Sequence, residues 1–128
     1  QTFSTPDNLS ESTGNSVLPQ ISSEGNKVYV VWADETPSGN FDIFYAVSTD
    51  NGLTFSTPDN LSENNGTSAN PQISSEGNNV YVVWGDSTPG NQDIFFITNN
   101  ELFGLFGNIV NLSNNAGDSG GPQISSSS

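Results

Sequence analysis

The chain has 128 residues, and its fourteen carboxylates face a single basic residue, Lys27, for a formal net charge of −13. His, Cys, Met and Arg are absent, which removes the ligands of zinc, copper and iron–sulfur sites, the cations that hold phosphate or nucleic acid, and His-based acid–base pairs. Oxygen chemistry remains, the set that suits Ca²⁺, and no apolar run approaches the roughly 20 residues of a membrane helix.

The first segment, TFSTPDNLSE at Thr2–Glu11, returns unchanged at Thr54–Glu63, 52 residues on. Four strands are predicted next: Pro19–Ser23, Lys27–Trp32, Asp42–Ser48 and Thr54–Leu61. Val, Ile, Tyr, Phe and Trp dominate the middle two, as strands prefer. Glu24-Gly25-Asn26 reads as a tight hairpin turn, and Thr36–Asn40 and Thr49–Gly52 as the later turns. PQISSEGNKVYVVWAD at Pro19–Asp34 then returns as PQISSEGNNVYVVWGD at Pro71–Asp86, and DIFY at Asp42–Tyr45 as DIFF at Asp93–Phe96, one residue early because the preceding loop is shorter. A decayed third copy begins with Asn111-Leu112-Ser113 and Pro122-Gln123-Ile124. The period of about 52 residues is the first fact that a fold must satisfy.

Lys27–Trp32 and Asp42–Ser48 are apolar on both faces, so each sheet needs cover above and below. The expected fold is therefore all-β, built as tandem four-stranded antiparallel propeller-type blades; a β-sandwich with a coincidental period is the alternative. The corresponding units are residues 1–18 (last strand of a preceding blade and linker), 19–62 (blade one), 63–113 (blade two with linker) and 114–128 (first strand of a following blade).

Ser48-Thr49-Asp50-Asn51-Gly52-Leu53-Thr54-Phe55 fits the pattern S-x-D-x-G-x-T-[WF] and resembles the Asp-box of the sialidase-like (BNR repeat) propellers. The wider pattern is similar to long repeat proteins of archaeal cell surfaces. The resemblance implies a turn built on Ser48, Asp50, Gly52 and Phe55, in which the carboxylate accepts backbone N–H groups and the aromatic ring packs between sheets. The matching stretch Asn99–Phe106 lacks the Ser, the Asp and the Gly, so its turn must differ. Sialidases of that family clamp the substrate carboxylate with an arginine triad; a chain without Arg cannot, and no catalytic residue is assigned.

Asp34 and Asp42 bracket one hairpin loop, and Asp86 and Asp93 the next. Each pair, with Asn40 or Asn91, suits turn capping, a Ca²⁺ site or, at a suitable separation, a glycosidase carboxylate pair. Asn8, Asn60, Asn65 and Asn111 each open an N-glycosylation sequon. Trp32 and Trp84 fit sheet packing or sugar stacking. The expected function is a non-catalytic, extracellular or cell-surface structural and interaction module, part of a longer chain or of a head-to-tail ring or filament of copies. A carbohydrate-binding propeller and the non-catalytic blades of a larger glycoside hydrolase are the alternatives. The expected partners are copies of itself, further repeats, and glycans in the second reading, with no nucleic acid and no membrane insertion.

Overall fold

The computed structural model describes residues 2–99 and 105–127. Eight strands form two four-stranded antiparallel sheets, each a meander in sequence order. The first holds β1 (Ser16–Glu24), β2 (Lys27–Glu35), β3 (Phe41–Ser48) and β4 (Asp59–Asn60). The second holds β5 (Ser68–Glu76), β6 (Asn79–Asp86), β7 (Asp93–Thr98) and β8 (Val110–Asn111).

The β1–β2 and β5–β6 turns are two residues long, between the pairs Glu24↔Lys27 and Glu76↔Asn79. Gly25 and Gly77 sit at φ 59° in their first positions, a backbone that glycine adopts without steric cost. β1 begins three residues before the expected Pro19 and carries an irregularity between Val17 and Gln20. There Leu18 takes φ 55°, and Asn70 repeats it at φ 54° in β5. The proline that follows each has no N–H for the ladder, which is why strand register breaks there. The expected strand Thr54–Leu61 contracts to Asp59–Asn60, because Pro58 interrupts the ladder.

The two sheets share one core. Tyr29, Val31, Ala33, Ile43 and Tyr45 on the inner face of the first meet Val80, Val82, Trp84 and Ile97 on the facing side of the second. A smaller cluster, Val30, Trp32 and Ala46 under Leu9, Phe44 and Phe55, lies on the outer face of the first sheet. Trp32 stacks on Phe44 and Trp84 on Phe95, with centroids 6.3 and 6.2 Å apart. Both tryptophans are thus packing residues.

All-β architecture with four-stranded antiparallel sheets is what the sequence pattern predicts, but the propeller-type blade arrangement is not found. The two sheets are separate and are not closed or curled as blades. Two-sided apolarity asks only for cover on both faces, and a facing sheet plus linker residues supply it without an axis. The resemblance to sialidase-like BNR proteins fails with the topology, because a carboxylate-centred turn is a local device that does not dictate how sheets are arranged. The functional readings built on the propeller, the structural and interaction repeat module, the sugar-binding propeller and the blades of a glycoside hydrolase, lose that basis too.

Candidate functional site

Asp34 and Asp42 are register partners at the loop end of the β2–β3 hairpin, and Asp86 and Asp93 match them on β6–β7. All four side chains are buried. Like charges opposite each other repel, so what surrounds each carboxylate decides whether the pair is a site or a strut.

Around Asp34, Ser12 and Ser16 donate their hydroxyls at 2.9 and 3.2 Å, and the Trp32 indole N–H donates at 3.1 Å. Around Asp86, Asn64 Nδ2, Ser68 Oγ and Trp84 Nε1 donate at 2.7, 2.8 and 3.0 Å to one oxygen. The Thr88 backbone N–H and hydroxyl donate to the other oxygen. Asp42 accepts from Asn40 at 3.3 Å and Asn60 at 2.7 Å. Asp93 accepts from Asn91 at 3.0 Å and Asn111 at 2.7 Å. Burial pushes the Asp86 carboxyl up, but the bonds from Thr88, Ser68 and Trp84 outweigh it and hold its pKa below the ordinary value. Asp93 is also lowered, first by the Asn111 bond, against a smaller opposing effect of burial.

Asn40 and Asn91 carry the network into the next linker. Asn40 Nδ2 donates to the Asn64 and Gly66 carbonyls at 3.1 and 2.9 Å, and Asn91 Nδ2 to those of Asn115 and Gly117 at 3.0 and 2.7 Å. Each aspartate pair therefore joins a hairpin end to the linker before it and the linker after it. Among the described residues, no three of Asp, Glu, His and Cys converge on one point. A cation at either pair would have to replace amide and hydroxyl donors already in place.

Asn-Leu-Ser, which reads as a sequon, also has a structural role that its three letters do not announce. Asn60 Nδ2 bonds Asp42, while Asn60 Oδ1 accepts the Glu63 N–H at 2.9 Å. Leu61 enters the core, and Ser62 Oγ accepts the Ile43 N–H at 2.9 Å. Asn111 and Ser113 repeat these contacts on Asp93, Asn114 and Ile94. The residue after the motif takes positive φ each time: Glu11 at 46°, Glu63 at 41° and Asn114 at 40°. Asn8 keeps only the local part, accepting from Glu11 N–H at 3.2 Å and Ser10 Oγ at 3.3 Å. Asn65 is exposed and makes no side-chain hydrogen bond to another described residue.

In the Ser48–Phe55 turn, Asp50 accepts from Ser48 Oγ at 2.7 Å, Thr54 N–H at 2.9 Å and Thr54 Oγ1 at 2.6 Å. Ser48 Oγ in turn accepts the Gly52 N–H at 2.8 Å, and Phe55 packs on the outer core cluster. The Thr54 hydroxyl, with its N–H and Ser48, lowers the Asp50 pKa to about 2. The contrasting stretch Asn99–Phe106 lies mostly outside the described residues, although Asn99 and Phe106 form a bridge.

A cleft of about 240 Å³ opens between the sheets, lined by Lys27, Tyr29, Tyr45, Val47, Thr49, Asn78 and Asn99. Lys27 Nζ donates to Asn78 Oδ1 at 2.5 Å. Burial raises both tyrosine pKa values, so neither phenol ionises near neutral pH. No family model matches this chain, and no curated protein matches it.

Proposed function

We propose that the chain is a non-catalytic all-β module that works through its sheet faces, with a second copy of itself as partner. What supports a non-catalytic reading is the state of the carboxylates. The four buried aspartates hold hairpins to linkers, and the phenols beside Lys27 have raised pKa values.

One observation carries the choice of partner: the two outer faces are copies of the two faces that meet inside. The outer face of the first sheet presents Ile21, Val28, Val30, Trp32 and Phe44. These correspond by repeat position to Ile73, Val80, Val82, Trp84 and Phe95, which are packed into the shared core. Ile21 is 68% exposed, whereas Ile73 is half-buried, so this face keeps accessible apolar surface. The outer face of the second sheet presents Tyr81, Ile94 and Phe96, half-buried counterparts of Tyr29, Ile43 and Tyr45, which the facing sheet buries. The Ser22–Ser75 hydroxyl contact between sheets, 2.6 Å, recurs on that outer face as Ser74–Ser126, also 2.6 Å.

Light scattering across micromolar concentrations tests this. Mass should rise with concentration and with added salt, which screens the −13 charge, and Phe96→Glu should lower it. Removing residues 122–128, of which Ser126 bonds Ser74 on the second outer face, should shift association to lower concentration. A folded monomer under every condition, with and without 122–128, sinks the proposal.

A further inference from the structure

The four Asn-X-Ser/Thr sequences are chemically alike in the chain and unlike in the fold. Sugar transfer forms a bond between C1 of the glycan and Asn Nδ2, so that nitrogen must be free to leave its hydrogen bonds. At Asn60 and Asn111 the same nitrogen donates at 2.7 Å to Asp42 and Asp93. The third residue of each is also engaged, since Ser62 Oγ and Ser113 Oγ accept the Ile43 and Ile94 backbone N–H groups at 2.9 Å. A glycan on either asparagine would break the join between hairpin and linker and orphan a buried carboxylate oxygen. Asn65-Gly66-Thr67 is different. Asn65 and Thr67 are exposed on the β4–β5 linker, and neither side chain bonds another described residue. The loop backbone is nevertheless held, by Thr67 N–H to Ser87 Oγ at 2.9 Å and Ser87 N–H to the Thr67 carbonyl at 3.0 Å. A glycan there points to solvent from a fixed loop.

We infer that Asn65 is an acceptor for an N-linked oligosaccharide, whereas Asn60 and Asn111 are structural asparagines that stay unmodified in the folded protein. The donor is a lipid pyrophosphate-linked oligosaccharide. The C1–Nδ2 bond forms as the C1–O bond to the pyrophosphate breaks, the lipid pyrophosphate leaves with the electron pair, and Nδ2 loses one proton. Such a modification would go with an extracellular or cell-surface location.

The test is to pass the chain through a glycosylating secretory pathway, purify the folded soluble fraction, and map occupancy by mass spectrometry of Glu-C peptides after glycosidase release in ¹⁸O water. The expected result is ¹⁸O at Asn65 with none at Asn60 or Asn111. Thr67→Ala should abolish the Asn65 signal and leave the urea midpoint unchanged. Asn60→Gln should lower the midpoint and leave the Asn65 signal in place. Synthetic peptides spanning each sequence, offered to the same transferase, should all be modified, which shows that the fold makes the selection. Occupancy at Asn60 or Asn111 in folded protein, or an empty Asn65 while its peptide is modified, overturns the inference.

Discussion

Replacing Asp86 with alanine should be among the most damaging single changes to this chain, and clearly worse than the matching change at Asp34. The reason is which face each occupies. Asp86 lies on the inner face of its sheet with Trp84, in the interface, and is 0% exposed. Its removal strands Ser68 Oγ and Trp84 Nε1, both on fully buried residues, besides the Asn64 and Thr88 donors at its margin. An unsatisfied buried donor costs about 1–3 kcal/mol, so two with no access to water predict a loss of about 2–6 kcal/mol. Asp34 lies on the outer face, and two of its three donors, Ser12 and Ser16, are exposed residues that water can satisfy. Only the Trp32 indole N–H is stranded, which predicts about 1–3 kcal/mol. Urea unfolding followed by tryptophan fluorescence measures both. At an m-value of about 2 kcal/mol per molar, the D86A midpoint should fall by about 2 M and that of D34A by about half as much. If D86A unfolds within about 0.5 M of the parent, or D34A is the costlier change, the account of these aspartates as buried acceptors is wrong.

Four further outcomes follow from local geometry. A Cβ on Gly66 would sit 2.5 Å from the Thr88 backbone nitrogen, so Gly66→Ala should cost about 1–3 kcal/mol in a urea melt. At Gly85 the clash is with the mobile end of Gln92, and Ala33 stands at the matching position, so Gly85→Ala should stay within about 1 kcal/mol of the parent. The Asp50 pKa is depressed in the folded chain, so its contribution to stability is present above the unfolded value of about 3.9 and is lost as pH falls toward about 2. Asp50→Asn should therefore weaken the fold at pH 6, with the gap to the parent closing between pH 4 and 2; a gap that does not change with pH would contradict this. Thermal melts in millimolar Ca²⁺ and in chelator should coincide, because the paired aspartates already accept amide and hydroxyl donors, and a Ca²⁺-dependent rise would mean that the ion displaces them.

The strands legible in the sequence were those whose residues leave one option. Val28–Trp32 and Ile43–Val47 are runs of β-branched and aromatic residues between turn formers, and both lie inside strands with the register that a hairpin requires. The extension of β1 back to Ser16 was hidden, because Leu18 and Asn70 at positive φ carry no sequence signature. How the sheets are arranged was hidden for a different reason. An inner face of Tyr29, Val31 and Ile43 is covered equally well by a neighbouring blade or by a facing sheet, and no pattern of single residues distinguishes the two. The resemblance carried by Ser48–Phe55 added nothing on this point, since the bonds of Ser48, Asp50, Gly52 and Thr54 close within the turn, and Thr49 and Asn51 bond Asn26 in the β1–β2 turn of the same sheet.

The partnership of aspartate and asparagine, by contrast, was open to inspection and was missed. The segment between Asp86 and Asp93 is one residue shorter than that between Asp34 and Asp42, so every position after it should return 51 residues on rather than 52. Asp42 and Asn60 both make that shift, to Asp93 and Asn111, and each pair keeps a separation of 18 residues. Asp34 and Ser16 precede the deletion and return 52 residues on as Asp86 and Ser68, again 18 residues apart. A sequon needs no fixed distance to an aspartate, because the transferase reads only three residues. A strut does need one, because the antiparallel register sets Asn60 opposite Phe44, one diagonal step from Asp42 on the same face. The spacing thus favours the strut for Asn60 and Asn111 before any coordinate is consulted. Asn65 has no such partner at a repeated distance, since the corresponding place after Asn111 is Ala116, and that sets it apart from the Asn-Leu-Ser copies at Asn60 and Asn111.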